Sequence, residues 1–306
     1  MKRGSFISKV FVNRTMLIML LPALIYVIVF NYIPMGGIML AFKNYNYQDG
    51  IFGSPWVGFE NFRFLMVSNK LWELTRNTLL YNAAFIGFGM LFEVGFAIML
   101  SEIVKSTFKK VSQGIMFLPY FISWVVVSSL LLTVFGFEFG VLNRILVSFG
   151  ADPVNIYGNT STWPIVMVLL RVWKHTGYGT VIYLAAITSI DQQIYEAADV
   201  DGAGVWRKIW SITLPSLKPT MTIMFLLAVG NIFRGDFGMF YQIVGNNQLL
   251  LQSSDIIDTF VYRSLMDSPN LGMSAAAGFY QSVLCFVTIL AANWMVRKIQ
   301  PDYALF

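Results

Sequence analysis

The most regular feature of the chain is a series of long apolar stretches without charged residues. Three of them, residues 15–42, 111–137 and 268–296, contain 28, 27 and 29 residues. A helix rises about 1.5 Å per residue, so each stretch can cross a hydrocarbon layer about 30 Å thick. The apolar residues run continuously instead of alternating, which favours helices over the strands of a membrane barrel.

Three further apolar stretches carry ionisable residues in their interior. They are residues 77–103 with Glu93, residues 163–190 with Arg171, Lys174 and His175, and residues 219–242 with Arg234 and Asp236. Each is also long enough to cross the membrane. The pattern therefore predicts an all-α membrane protein with six transmembrane helices.

Composition agrees with a chain that is largely surrounded by lipid. Of its 306 residues, 57% are hydrophobic and 12% are charged, and the mean hydropathy is +0.64. Soluble domains contain roughly a quarter charged residues, so a soluble enzyme or a nucleic-acid binder is excluded. Cys285 is the only cysteine and His175 the only histidine, which leaves no disulfide within the chain and argues against a metal site.

Basic residues are distributed unevenly between the connecting segments. If the N-terminus lies inside, the cytoplasmic segments contain 12 lysines and arginines and the outer segments contain 6. Positive residues are enriched on the cytoplasmic side, so both termini are predicted to be cytoplasmic. Lys2, Arg3 and Lys9 resemble the start of a signal peptide, but no A-x-A cleavage site follows the first apolar stretch, which is therefore predicted to be retained.

One cytoplasmic loop, residues 191–218, is too organised for a plain connector. Apolar residues recur at helical spacing before and after Gly202 and Gly204. Two short amphipathic helices are therefore predicted to meet at a glycine corner, and Pro215 is predicted to end the second helix. The hairpin either lies on the membrane surface or inserts as a rigid knob into a cytoplasmic partner.

The same loop contains a motif with fixed spacing. It reads E-A-A, three residues, G, nine residues, I, one residue, L-P, and its members are Glu196, Ala197, Ala198, Gly202, Ile212, Leu214 and Pro215. Every position matches the EAA motif of bacterial ABC importer permeases, and residue usage gives a chance match at one start on the order of 10⁻⁸. The chain thus resembles these permeases, which implies the type I importer fold.

Other stretches resemble the carbohydrate-uptake, maltose-permease-like branch of that family. They are residues 32–36, 41–42, 56–62 and 118–123. They are similar to the polysaccharide and complex-oligosaccharide permeases, close to the importers of alginate and pectin fragments. The resemblance implies an ABC permease core over residues 71–296. A first helix and outer loop precede it over residues 1–70, and a cytoplasmic tail follows over residues 297–306.

The resemblance implies a set of partners. A second, homologous permease subunit forms a heterodimer with this chain, and two ABC ATPase subunits bind ATP and Mg²⁺, so this chain needs no cofactor of its own. An extracellular solute-binding protein delivers an oligosaccharide. By residue match, Glu196 and Gly202 lie where the coupling helix enters the ATPase cleft, and the other motif residues shape that helix. The chain contains no G-x-x-x-x-G-K-[ST] sequence with which to bind ATP itself.

Ionisable residues inside the predicted spans allow two interpretations. Arg171, Lys174, His175 and Tyr178 share one face of the fourth span, and a polar stripe of Asn231, Arg234 and Tyr241, with Asp236 beside it, is predicted on the fifth. These residues either line a substrate path, whose positive charge suits an acidic sugar such as a uronate, or pair internally. Internal pairing would join Lys174 to Glu93 and Arg234 to the neighbourhood of Asp236 or to a partner subunit.

Two other functions are weighed against ATP-driven import. A stand-alone secondary transporter would use Glu93, Arg171 and Arg234 for coupling, but it predicts sequence repeats between two halves, and none is visible. An intramembrane enzyme lacks any catalytic constellation in this sequence. The long aromatic outer loops, residues 43–76, 138–162 and 243–270, either anchor the chain at the membrane surface or form a docking platform for an external partner.

Overall fold

The computed structural model describes residues 14–267, 270–299 and 301. This part of the chain is mostly helical and contains no β-strand, only an isolated antiparallel bridge between Lys43 and Trp56. The all-α prediction is therefore confirmed for the described residues. The helices, in chain order, are α1 (Thr15–Phe42), α2 (Glu60–Val67), α3 (Lys70–Ser101), α4 (Ser106–Phe117), α5 (Trp124–Phe135), α6 (Val141–Ser148), α7 (Trp163–Thr188), α8 (Gln192–Val200), α9 (Val205–Gly230), α10 (Phe237–Val244), α11 (Gln248–Ser254), α12 (Ile257–Met266) and α13 (Leu271–Ile299).

Some predictions fall outside the described residues. They concern Lys2, Arg3 and Lys9 of the N-terminal segment, the start of the last apolar stretch at Ser268, and residues 302–306 of the tail.

Among the described residues, four helices are long and apolar enough to cross a membrane: α1, α3, α9 and α13. α4 and α5 together would form a fifth span, but they are bent by 92°. α7 has 26 residues, about 39 Å of helix, and carries Arg171, Lys174 and His175 in its interior. Each of the six predicted apolar stretches thus contains helix.

The predicted third span, residues 111–137, is wrong as one continuous helix. α4 continues through a 3₁₀ turn at Leu118–Phe121, and the backbone is then extended at Ile122 and Ser123 before α5 begins. The Ser123 hydroxyl accepts a hydrogen bond from the Val126 N–H and so caps α5. We call this 92° bend the α4–α5 corner.

The predicted fifth span, residues 219–242, has the wrong bounds. α9 begins 14 residues earlier, at Val205, and ends at Gly230, and a turn separates it from α10. Asn231, Arg234 and Tyr241 therefore do not form a polar stripe on one helix, because the first two lie in the turn and the third lies on α10.

Side chains distant in sequence hold this turn. Asp258 of α12 accepts a hydrogen bond from the Gly235 N–H at 2.7 Å and one from the Gln281 amide at 2.9 Å. Burial raises the pKa of the Asp258 carboxyl above its usual range, and these hydrogen bonds act in the opposite direction. Asp236 caps α10 by accepting the Met239 N–H at 3.1 Å. Because the partners come from other elements, apolar periodicity alone did not reveal the end of α9.

Pro215 does not end a helix, contrary to the prediction. α9 runs through it because the preceding residues, Ile209–Thr213, form a π turn in which the Leu214 N–H bonds to the Ile209 carbonyl. The wider turn leaves room where the proline ring and its missing N–H would disturb a regular helix. The second short helix of the predicted hairpin is therefore the start of a 26-residue helix.

The packed interior of the chain is built around α3 and α7. Trp163 and Met167 of α7 pack with Tyr81 of α3 in one apolar cluster, and Tyr183 of α7 packs with Val94 of α3 in another. The apolar window of α1, by contrast, has no buried residue. Among the described residues, α1 is therefore the apolar helix with the least cover from the rest of the chain.

Candidate functional site

A polar cavity of about 360 Å³ lies between α3, α7 and the end of α9. Ionisable groups are costly within apolar helices, so such a cavity is the first candidate for function. Its polar and ionisable lining residues are Asn82 and Glu93 of α3, Arg171, His175, Thr176, Tyr178 and Tyr183 of α7, and Asn231 and Arg234 after α9.

Five of the seven residues predicted to line a substrate path lie on this cavity. They are Arg171, His175, Tyr178, Asn231 and Arg234. The first three come from one face of α7, as the helical spacing predicted, and the other two come from the turn after α9. Their contact with a substrate stays a prediction.

Asp236, the sixth predicted residue, lies beside the cavity and is close to polar groups of two other helices. Its Oδ2 lies 3.6 Å from Arg171 Nε and 3.8 Å from His175 Nε2, and it accepts the Trp124 indole N–H at 3.2 Å. Arg171 Nε and His175 Nε2 are buried and have no hydrogen-bond partner in the part of the chain that the structure describes. Asp236 therefore faces α7 instead of pairing with Arg234.

Lys174, the seventh predicted residue, does not lie on the cavity. Its buried ammonium donates hydrogen bonds to the backbone carbonyls of Pro119, at 3.1 Å, Tyr120, at 2.8 Å, and Ile122. The predicted pairing of Lys174 with Glu93 is thus wrong. The lysine satisfies the carbonyl groups left free where α4 ends, as a cation does at a helix C-terminus.

Glu93 of α3 lies against α7 at Gly179. A Cβ on Gly179 would lie 2.0 Å from the Glu93 carboxyl carbon, so a larger residue here would displace the Glu93 side chain. Tyr183 is fully buried, and its hydroxyl has no hydrogen-bond partner among the described residues. Tyr183 cannot be recognised as a site residue from the sequence, because one tyrosine in an apolar helix gives the same signal as a packing residue.

The cations near the cavity differ in how far their charge is compensated. Arg171 interacts electrostatically with both Asp236 and Glu93, and Lys174 is bound to carbonyl groups. Arg234 is exposed on the cavity and interacts electrostatically with Asp258 of α12. Arg234 is therefore the cation best placed to meet an anionic ligand. No three His, Cys, Asp or Glu side chains of the described residues are grouped to hold a metal ion.

The glycine corner predicted in the cytoplasmic loop is present. α8 ends at Val200, and Gly202 has a φ of +71°, a left-handed conformation that residues with a Cβ adopt only at a cost. The Gly202 N–H bonds to the Asp199 carbonyl and the Ala203 N–H to the Ala198 carbonyl, which closes the end of α8. α9 begins three residues after Gly202, so the corner is tight.

The residues of the EAA motif are divided between α8, the corner and α9. Glu196 and Ala197 of α8 are exposed, as is Gly202, while Ala198 is half-buried. Ile212 and Leu214 of α9 are half-buried, and Pro215 is exposed. The motif residues of α8 are thus mostly exposed, whereas Ile212 and Leu214 of α9 are partly packed against the rest of the chain.

The chain matches the sequence model of one protein family over residues 93–301. That family is described as the binding-protein-dependent transport system inner membrane component. The chain belongs to this family.

Two of three relatives that match nearly the whole chain are named as permeases of carbohydrate transport systems. The polygalacturonan/rhamnogalacturonan transport system permease protein YteP of Bacillus subtilis (strain 168) is 33% identical over 297 residues, covering 97% of this chain and 92% of that protein. Protein LplB of the same organism is 31% identical over 290 residues, covering 95% and 91%. The trehalose/maltose transport system permease protein MalF of Thermococcus litoralis is 28% identical, covering 92% of each chain.

A solved structure has the same fold as this permease. It is a bacterial ABC transporter involved in the import of the acidic polysaccharide alginate, and one chain of it matches with a TM-score of 0.87 at 31% identity, covering 96% of this permease and 98% of that chain. The predicted family is therefore confirmed. The chain is a permease subunit of a carbohydrate ABC importer, and it is not an enzyme.

Proposed function

We propose that this permease moves an acidic oligosaccharide inward, after delivery by an extracellular binding protein, and that a separate ATPase drives it through loop 191–218. In this proposal the permease pairs with a homologous subunit, and two ATPase subunits bind ATP and Mg²⁺. The whole assembly alternates between inward-open and outward-open states.

The corner at Gly202 is the observation that carries the ATP-driven part of the proposal. It holds a short helix with an exposed face, Glu196 and Ala197, against the start of a long helix whose far end lines the polar cavity. A surface helix that merely rested on the membrane would not need this connection. A stand-alone transporter would not need the exposed motif.

The membrane arrangement is part of the same proposal. Six spans, formed by α1, α3, the bent pair α4 and α5, α7, α9 and α13, would place both termini in the cytoplasm. Four of these helices, α1, α3, α9 and α13, are apolar enough by themselves, and the 12-to-6 excess of basic residues supports the orientation. The localisation that follows is the bacterial cytoplasmic membrane.

An acidic substrate is supported by Arg234 and by the relatives. Arg171 lies 3.6 Å from Asp236 and also interacts electrostatically with Glu93, and Lys174 is bound to backbone carbonyls, so neither adds a free positive charge to the cavity. Arg234 remains, and a guanidinium forms strong, charge-assisted hydrogen bonds with a carboxylate. Polygalacturonan and alginate, named for two relatives, are polyuronates.

The test compares two glycines of the same corner. A Cβ on either Gly202 or Gly204 would meet nothing within 4 Å, but only Gly202 has a positive φ. The tagged permease is purified gently from its native membrane, and the proteins that accompany it are identified. We expect a second six-span permease and a Walker-motif ATPase. Gly202→Asp and Glu196→Lys should remove the ATPase and abolish uptake, whereas Gly204→Asp, which adds the same charge, should retain both.

Two results would contradict the proposal. One is recovery of the permease alone, still moving solute without ATP, which would favour a secondary transporter. The other is equal loss of the ATPase in Gly202→Asp and Gly204→Asp, which would mean that added charge, not the corner's geometry, disturbs the contact.

A further inference from the structure

α8 has two faces with different surroundings. Glu196, Ala197 and Val200 lie on the free side, and Val200 is 89% exposed. Tyr195 and Asp199, four residues apart and hence on one face, lie on the side toward α9. The surface available to a partner is therefore separate from the surface that holds α8 in place.

Two polar contacts join the second face to α9. The hydroxyls of Tyr195 and Thr213 are hydrogen-bonded at 2.9 Å, and Thr213 is buried. Lys208 Nζ donates to Asp199 Oδ1 at 2.7 Å, but Asp199 is exposed, and such surface pairs contribute little. The Tyr195–Thr213 hydrogen bond, which we call the brace, is the stronger restraint because one partner is withdrawn from water.

The brace depends on the irregular part of α9. Thr213 is the last residue of the π turn and directly precedes Leu214 and Pro215 of the motif. π turns within helices are frequently found at functional sites. Here the turn that accommodates the motif's proline also contains the hydroxyl that meets α8.

α9 connects the brace to the cavity as one helix. Met224 and Ala228 of α9 line the cavity, and Asn231 follows directly after its end. Thr213 and Asn231 are 18 positions apart, so the path is about 27 Å long. α9 is continuous over this length, although it contains Pro219, and a continuous helix can carry a displacement from one end to the other.

We propose that Tyr195 is a positioning residue for transport: its brace to Thr213 makes α8 and α9 move as one body, so that a push on α8 reaches the cavity wall. The proposal rests on the proposed function, since it assumes that the ATPase acts on α8. Without the brace, α8 still binds the ATPase but rotates about Gly202. Only part of its movement then reaches α9.

The test measures solute imported per ATP hydrolysed by the complete transporter in proteoliposomes. Tyr195→Phe and Thr213→Val each remove one hydroxyl while keeping the side chain's shape. A hydrogen bond to a buried group corresponds to about a fivefold change in an equilibrium. We expect the ratio to fall about fivefold in each single variant and no further in the double variant, with normal recovery of the ATPase. Ser211→Ala is the matched control, because Ser211 is an exposed hydroxyl of the same π turn.

Three outcomes would contradict the proposal that the brace couples α8 to α9. They are an unchanged transport ratio in both single variants, additive losses in the double variant, and loss of the ATPase from either single variant. The last would mean that Tyr195 shapes the contact instead of transmitting its movement.

Failure of the proposed function is a separate result. It would appear as continued recovery of the ATPase with Gly202→Asp, whatever the brace variants do. Normal ATPase binding together with a low transport ratio in Tyr195→Phe supports the brace directly.

Discussion

Three cations that look alike in the sequence have different surroundings in the folded permease. Arg171 lies 3.6 Å from the Asp236 carboxylate, Lys174 is bound to three backbone carbonyls, and Arg234 remains exposed on the cavity. The sequence spacing of these cations could not predict their different surroundings, because the groups that contact them lie on other helices and turns. At the scale of single residues, Arg234 is the exposed one of these three cations.

Replacing Arg234 is expected to change substrate preference. Arg234→Gln removes the charge but keeps a polar side chain, and loss of a charge-assisted hydrogen bond costs about 1.5–3 kcal/mol. Uptake of an acidic oligouronide at limiting concentration should fall at least about tenfold. Uptake of its carboxyl-reduced, neutral form should change little, which competition and direct uptake assays measure.

The control for this variant is Arg144→Gln. Arg144 is an exposed arginine on α6 and does not line the cavity. It should leave both uptake rates unchanged. An equal loss of acidic and neutral uptake in Arg234→Gln would show that Arg234 supports the turn after α9 and does not select a carboxylate.

The α4–α5 corner is the clearest case in which one side chain determines the shape of an element. Lys174 is buried and supplies the donors for carbonyls at the end of α4. The same corner places Tyr120, whose ring is stacked on Tyr178 at 4.9 Å, and Trp124, which donates to Asp236. Lys174 thus does not line the cavity, but it holds the corner whose residues contact the side chains around the cavity.

Replacing Lys174 is expected to destabilise the corner. Lys174→Met keeps the length of the side chain but leaves three carbonyls without their donor, and each buried, unsatisfied group costs about 1–3 kcal/mol. The purified transporter should unfold at a clearly lower temperature than wild type in a thermal-shift assay. Lys110→Met, an exposed lysine of α4, is the matched control, and equal melting temperatures for the two variants would contradict the role of Lys174.

The elements differ in how much of them the sequence could predict. The positions of α1, α3, α7 and α13 followed from charge-free or nearly charge-free stretches, because apolar length is a local property. The α4–α5 corner depends on Lys174, more than 50 residues away, and the end of α9 depends on Asp258 and Gln281. Contacts of that range leave no periodic signal. The two glycines and the apolar spacing around them predicted the corner at Gly202, but not the π turn that carries α9 through Pro215.

At the scale of the whole molecule, the permease is incomplete without its surroundings. α1 has no buried residue in its apolar window, and a second chain or lipid must cover it. The polar cavity is lined from α3, α7 and the end of α9. The family match explains both observations, since these permeases work as parts of larger assemblies.

The proposed orientation is tested with single cysteines. Cys285→Ser gives a cysteine-free chain, into which Val104→Cys, at 96% exposure before α4, or Phe149→Cys, at 85% exposure after α6, is introduced. A membrane-impermeant maleimide should label Phe149→Cys in intact cells and Val104→Cys only after permeabilisation. The opposite pattern would reverse the orientation, and equal labelling of both in intact cells would place the two loops on one side.

Because α9 is one continuous helix, insertions and deletions of residues within it are also constrained. Each residue added to or removed from a helix rotates everything beyond it by about 100°. An insertion between Thr213 and Met224 would therefore turn one end of α9 away from its partners, either α8 or the cavity. Outer loops can accept insertions and deletions without this penalty. Variation in length among homologous permeases should accordingly be concentrated in those loops and absent from this stretch of α9.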